Sequence, residues 1–277
     1  MGAEARRTAV RYRHQQPVGM LLRELREERG LSQFALALQT EVSQRHLSFV
    51  ETGRANPSPD LIGKLADRLQ LPLRERNRLL LAAGHAPVYR ETTLDSVELD
   101  AVRAAAHHIL RAHEPTPALL VDRLWNALEM NSGVVLLAQL VDPSLLEPPV
   151  NVMRVTLHPD GLARHITNLP EVRAHLLARL RRQIAVSLDD TLADLYDEVA
   201  AYPGGTPSHP APADTAADVL VPLRLRAADT ELTFFSTMTV FGTAVDITVA
   251  ELAIESFFPA DDKTREALRA LTPSPED

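Results

Sequence analysis

The 277 residues carry 29 Lys and Arg against 37 Asp and Glu, a formal net charge of −8, with 45% hydrophobic residues and no cysteine. That length accommodates one small and one medium domain, and the missing cysteines exclude a disulfide framework or thiolate-held metals. No apolar run approaches the roughly 18 residues of a bilayer-spanning helix and no signal-peptide pattern opens the chain, so the expectation is a cytoplasmic protein without a membrane partner.

The acidic total conceals a division. Residues 1–83 hold 14 of the basic and 9 of the acidic residues, a net of +5, and the remaining 15 basic and 28 acidic residues give −13. A basic N-terminal third beside an acidic remainder suits a nucleic-acid-binding head joined to a part that does not touch nucleic acid.

Residues 1–17 include Arg6, Arg7, Arg11 and Arg13 without an apolar core, and read as a flexible basic arm. Val18 to Glu28 places Met20, Leu21, Leu22 and Leu25 at helical spacing, and Gly30 supplies a stop. Two short helices follow between Leu31 and Pro57, with Ser32 and Ser43 as their N-caps. In the first, Leu36 and Leu38 are the apolar positions, and Phe34, Ala35 and Ala37 keep it compact. In the second, Leu47 and Val50 point the same way, while Gln44, Arg45, His46, Ser48 and Thr52 make a polar side. A first turn so rich in hydrogen-bonding side chains can address base edges in a major groove. The plainer alternative is a helical hairpin whose polar residues are only solvated.

Ser58-Pro59-Asp60 then reads as an N-cap, a proline at the first helical position and a first-turn acid. Leu61, Ile62, Leu65, Ala66 and Leu69 give this fourth helix its stripe, and a fifth runs from Leu73 to Ala83 with Leu79, Leu80 and Leu81. Five short helices predict a closed all-α head over 18–87. A linker at 88–96 separates it from a body of 97–277.

The body opens with a helix from Val97 to Ala112, with Leu99, Val102, Ala106, Ile109 and Leu110 inward. His107, His108 and His113 are not spaced i,i+4, so no two ligands would share adjacent turns, and a solvated face accounts for them. From Pro117 the pattern gives a strand, a turn near Asp122 and Arg123, and a second strand through Trp125. Asn131-Ser132-Gly133 caps a short helix, Val134 to Val141. Val150 to Leu157 fits a helix or a strand with Met153, Val155 and Leu157 on one face. Helices from Glu171 to Ala185 and Asp189 to Ala201 precede a surface loop at 203–213.

Alternation then predicts three antiparallel strands. Val219 to Arg226 is the first, and Glu231 to Phe241 sets Leu232, Phe234, Ser236, Met238 and Val240 on one face. After a turn at Gly242-Thr243, Val245, Ile247 and Val249 begin the third, and a helix closes near Leu271. A strand pair, short helices and a three-stranded run make a PAS-like layout, so the fold class is α+β. No G-x-S-x-G elbow, P-loop, H-E-x-x-H or glycine-rich dinucleotide turn occurs. Asp189-Asp190 and Asp261-Asp262 sit at helix starts, where capping explains them. No required cofactor is implied.

The pattern R-G-L-S-Q followed by V-S-Q-R-H-L-S-F-V-E-T-G-R-A-N-P-S, between Arg29 and Ser58, resembles the helix-turn-helix domain of phage-repressor/Xre-like regulators. The resemblance implies that Gln33 contacts a phosphate, that Gln44, Arg45 and Phe49 face bases or the groove wall, and that Arg26 and Glu51 bridge the first helix to the recognition helix. The candidate DNA-contacting set is Ser32, Gln33, Ser43, Gln44, Arg45, His46, Ser48, Phe49 and Arg54. One departure is Glu41, where the family usually has glycine; a left-handed backbone there costs a side chain about 1–2 kcal/mol.

With P-A-L-L-V-D-R-L-W-N-A-L-E-M-N and E-L-A-I-E-S-F-F-P-A-D in the body, nearly the whole chain resembles MmyB-like transcription regulators. That resemblance implies a double-stranded DNA operator as partner and a body that binds a fatty acid or similar apolar molecule. The small DNA surface of one head favours a homodimer on an inverted repeat. Trp125, Phe234 and Met238 on the sheet, closed over by Met130, Leu136, Met153, Val155, Leu177 and Leu180, are the expected ligand lining, with Arg154 for a carboxylate head. Two other readings stay open. The body could only dimerise or recruit a partner, or it could be an enzyme beneath an autoregulatory DNA-binding head.

Overall fold

The computed structural model describes residues 16–205, 221–227, 230–242 and 244–271. The arm at 1–15, most of the 203–213 loop, Val219, Leu220 and Thr243 lie outside these residues. The chain divides into two compact units. One comprises the chain up to Glu91 with segments 182–190 and 245–247, and the other comprises the rest.

The first unit contains α1 (Val18–Glu28), α2 (Gln33–Gln39), α3 (Gln44–Glu51), α4 (Pro59–Arg68) and α5 (Leu73–Ala82). Three of the five starts are capped by serine. The Ser32, Ser43 and Ser58 hydroxyls accept from the amides of Ala35, His46 and Leu61 at 3.1, 3.1 and 3.3 Å, and Pro59 occupies the first turn of α4. Leu21, Leu22, Leu25, Leu36, Leu47, Val50, Ile62, Leu65 and Leu79 form one buried core.

Details of this core differ from the sequence reading, and Met20 and Leu81, both read as part of apolar stripes, are 54% and 58% exposed. Leu38 is 69% exposed and Phe34 61% exposed. These two stand one turn apart on the outer side of α2, and the core takes Leu36 and Ala37 instead. Gly19 was not singled out, yet a Cβ there would lie 2.3 Å from the Val50 carbonyl oxygen, so only glycine lets α1 and α3 approach this closely. Asn77 on α5 is buried. Its Oδ1 accepts from the amides of Val88 and Tyr89 at 3.0 Å each, and its Nδ2 donates to the Tyr89 carbonyl at 2.7 Å. The first residues of the predicted linker are therefore pinned to α5.

The second unit is built on an antiparallel sheet of β1 (Ala118–Val121), β2 (Ala127–Met130), β3 (Leu223–Ala227), β4 (Thr230–Val240) and β5 (Ala253–Pro259). Its order is β2-β1-β5-β4-β3, so the strand pair and the three-stranded run join through β1 and β5. This is the α+β arrangement predicted for the body. Helix α6 (Asp100–Ala112) packs Ala106 and Leu110 against Ala118, Leu120 and Ile254. Ile109, predicted inward, is 38% exposed. The opposite face places Leu225, Leu232 and Phe234 against Leu137 of α7 (Ser132–Ala138), Val172 of α9 (Leu169–Ser187) and Leu268 of α12 (Asp262–Leu271). Between α7 and α9 lies α8 (Val152–Leu157), and α10 (Asp190–Ala201) follows α9. Among the described residues, no helix is long and apolar enough to cross a membrane.

Two strand assignments are corrected. Val245, Ile247 and Val249 do not begin a strand, because Ile247 to Ala250 forms a helical turn, α11, in which Val245 stays exposed while Ile247 and Val249 are buried. The third strand is β5, whose residues Ala253 to Ser256 are all buried. A strand covered on both faces does not alternate, so alternation could not find it. Trp125 is not on the second strand either. It sits in the preceding turn at φ 68°, where Asp122 Oδ1 accepts from the amides of Leu124 and Asn126 at 2.8 and 2.9 Å. The aspartate organises a tight turn, and pairing resumes at Ala127.

Glu41 adopts φ 57°, the left-handed conformation. Relief of about 1–2 kcal/mol of strain, offset by about 0.4–1 kcal/mol of added freedom in the unfolded chain, predicts that Glu41→Gly stabilises the first unit by roughly 0.5–1 kcal/mol. Urea denaturation of the full chain should show the midpoint rising.

Candidate functional site

Helix α3 is held in place by a charge pair. Arg26 Nε and Nη2 donate to the two carboxylate oxygens of Glu51 at 2.7 and 2.9 Å, and Arg26 Nη1 donates to the Leu31 carbonyl at 2.7 Å. Both side chains are buried, so each charge is tolerated only because the other is there. Hydrogen bonding to Glu51 holds Arg26 still more firmly protonated than a free arginine. Gln33 joins the pair by donating from Nε2 to Glu51 Oε2 at 2.8 Å. One amide hydrogen of Gln33 is used in this way, and the second is available to a phosphate.

This arrangement leaves the first turn of α3 outward. Gln44, Arg45 and His46 are exposed, while Ser32 and Ser43 spend their hydroxyls on capping. Ser48 is half-buried, and its carbonyl accepts from the Thr52 hydroxyl at 2.7 Å. Phe49 is half-buried between two cations, with the Arg45 guanidinium 5.3 Å and that of Arg54 5.9 Å from its ring centre. A ring so placed orients both guanidinium groups without neutralising them. The surface is thus polar, cationic at two points and built on a rigid helix.

In the second unit, direct strand partners place Met238, Glu255, Leu119 and Met130 in one row across four strands, all on the same face of the sheet. The outer members, Met238 and Met130, are 37% and 39% exposed, and Leu119 and Glu255 are buried. Arg179 on α9 reaches this row, with Nη1 donating to Glu255 Oε1 at 3.3 Å and its guanidinium 4.5 Å from the centre of the Trp125 ring. Ser236 also hydrogen-bonds to Glu255, and burial pushes the Glu255 carboxyl up against the opposing pull of Arg179. Trp125 is itself buried, and its carbonyl accepts from the Val152 amide at 2.8 Å.

The other predicted lining residues are distributed unevenly. Met153, Leu177, Leu180 and Phe234 are buried, and Leu136 and Val155 are half-buried. Phe234 belongs to the cluster with Leu225, Leu232 and Val172. Arg154 is engaged elsewhere, since its Nε and Nη2 donate to Glu198 at 2.7 and 2.8 Å. Tyr202 adds a 2.6 Å bond to the same carboxylate, and burial, with that bond, pushes its phenol up to about 12. The sequence reading missed Arg179 and Glu255. The available signal was an acid at an inward position of A-I-E-S-F, with an arginine among the leucines of α9.

The histidines engage separate partners. His107 Nδ1 lies 2.5 Å from Glu129 Oε1, and His113 Nε2 lies 2.8 Å from the Phe257 carbonyl. Among the described residues, no group of three or more His, Asp or Glu side chains is placed to hold a metal ion.

A capped helix pair with an outward polar recognition helix, followed by a helix-flanked antiparallel sheet, defines a two-part helix-turn-helix protein. Comparison with known families agrees on both parts. Residues 17–79 match a helix-turn-helix domain family, and residues 102–271 match the MmyB-like transcription regulator ligand binding domain. The chain belongs to the MmyB-like family. An uncharacterised HTH-type transcriptional regulator of Mycobacterium bovis is 28% identical over 195 residues, covering 63% of this chain and 76% of that protein. RghRB of Bacillus subtilis, also named as an uncharacterised HTH-type transcriptional regulator, is 37% identical over 83 residues, which is 30% of this chain and 58% of RghRB. The chain therefore spans little more than half of the Bacillus relative.

Glu51→Ala leaves the Arg26 charge buried and Gln33 without its acceptor. A loss of about 3–5 kcal/mol in the first unit is expected, measured as a lower denaturant midpoint for the helical circular dichroism signal. Glu51→Gln, which keeps the shape, should recover part of it.

Proposed function

We propose that this chain is a transcription regulator that reads a DNA operator with α3 and alters that binding when an apolar, acyl-chain-like molecule occupies its C-terminal domain. The observation that carries the first half is the exposed Gln44, Arg45 and His46 turn on a helix anchored by a buried ion pair. A bidentate arginine or glutamine in the major groove discriminates bases, while the neighbouring cations bind phosphate without regard to sequence. The match to a ligand binding domain supports the second half, as do the buried apolar residues on the inner face of the sheet. An acyl chain burying about 12 methylenes would gain on the order of 10 kcal/mol before the cost of association. That is ample for retention through purification.

On this reading the protein acts in the cytoplasm as a homodimer on an inverted repeat, since one small head buries little DNA surface. The relatives are named as transcriptional regulators, which favours regulation over catalysis.

The test pairs a DNA titration with native mass spectrometry of the full chain. On a site selected from random DNA, Arg45→Ala should cost about 1–3 kcal/mol and relax the preference at one base pair. Unchanged affinity and preference would overturn the assignment of α3. The native spectrum should show two chains per operator and a mass increment fitting one acyl compound per chain. Protein without such an increment that also fails to take up added fatty acids would reduce the body to dimerisation or partner recruitment.

A further inference from the structure

The row Met238–Glu255–Leu119–Met130 is apolar apart from one carboxylate, and the group facing that carboxylate from α9 is Arg179. A buried acid with a single cationic partner in an otherwise apolar layer contributes little stability, because desolvation offsets the attraction. The guanidinium is also only partly used. Its bond to Glu255 is long at 3.3 Å, its central carbon lies over the Trp125 ring 4.5 Å from the centre, and among the described residues Nε and Nη2 make no hydrogen bond. The Arg179 side chain is 21% exposed, so solvent reaches it, whereas the Glu255 side chain is 7% exposed and bonded by Arg179 and Ser236. Arginine presents two parallel donors that match a carboxylate, and stacking on an aromatic ring fixes their plane.

We propose that Arg179 is the anchor for the carboxylate of an amphipathic monocarboxylic acid bound on the inner face of the sheet, its tail lying along the Met238, Leu119 and Met130 row. The inference rests on the apolar-ligand reading above and replaces Arg154 as its cation, because Arg154 is held bidentately by Glu198. Entry of a second carboxylate beside Glu255 puts two acids on one guanidinium, and two such groups cannot both stay ionised in a desolvated site. Glu255 therefore takes a proton from solvent as the acid anion binds, and it remains as a neutral donor. Burial already pushes Glu255 in that direction. Of the groups facing it, Arg179 on α9 is the charged one. Ser236 and Met238 on β4 and Leu119 on β1 carry no charge. Binding of the anion should accordingly weaken as pH rises.

The test uses the full chain with dodecanoate and its neutral counterpart dodecanol, by calorimetry in buffers of different ionisation heat and by Trp125 fluorescence. Wild type should bind dodecanoate about tenfold or more tighter than dodecanol and take up about one proton per acid. Arg179→Gln should abolish the preference for dodecanoate over dodecanol. Glu255→Gln should bind dodecanoate without proton uptake. Arg179→Lys keeps the charge without the fork and should retain only part of the preference; it also decides the matter if the glutamine variant does not fold. Equal affinity of acid and alcohol for wild type overturns the anchor but leaves the apolar-ligand reading standing. A preference for acid that survives Arg179→Gln and is lost in Arg154→Gln overturns it in favour of Arg154. If neither compound binds, both readings fall.

Discussion

A carboxylate taken out of water must be given a cation or a proton, and each compact unit of this protein carries such a buried carboxylate at its candidate site. In the first, Glu51 receives Arg26 as a two-point fork and Gln33 as a third donor, so its charge is fully satisfied. Because the partners come from α1, α2 and α3, the same bonds that settle the charge also set the angle at which α3 leaves the bundle. In the second, Glu255 has one long bond to a guanidinium and a serine hydroxyl. Such a site is electrically balanced but incompletely bonded. The contrast is one of saturation: a fully bonded buried carboxylate rigidifies the head, and the one in the body has fewer and longer bonds.

Rigidity in the head has a second source in sterics. Gly19 allows the α3 backbone to sit directly on α1, so the Val50 carbonyl fills the volume a methyl group would need. Contact of this kind leaves no room for α3 to rock. The recognition turn then projects Gln44, Arg45 and His46 from a fixed platform, and Phe49 constrains Arg45 and Arg54 through its ring. Base readout depends on holding donors to within a fraction of an ångström, which a helix achieves and a loop does not.

The sequence was most legible where local chemistry decides structure. Serine caps, the Ser58-Pro59 start and the leucine stripes of α1 and α4 act through neighbours in the chain, and the residues that marked them occupy those roles. It was least legible where tertiary contacts decide. Leu38 stands beside Leu36 as an apolar position, but α2 turns it outward. The sequence pattern runs the second strand through Trp125, yet Asp122 closes a turn around it and holds it in a left-handed conformation. β5 escaped because burial on both faces erases the alternation that identifies strands. Glu255 and Arg179 lie 76 residues apart. No spacing rule brings them together, so the most polar spot on the inner face of the sheet emerged only from the register.

The clamp formed by Asn77 bears on where the head can be cut from the chain. Its amide is buried and satisfied by backbone groups of Val88 and Tyr89. A fragment ending at Pro87 would strip away all of these partners and leave a buried carboxamide with nothing to bond, a penalty of about 1–3 kcal/mol. The folding boundary therefore lies beyond the last helix of the head, inside a stretch with no periodicity of its own. Two residues of apparent spacer act there as the closing strap of the DNA-binding unit.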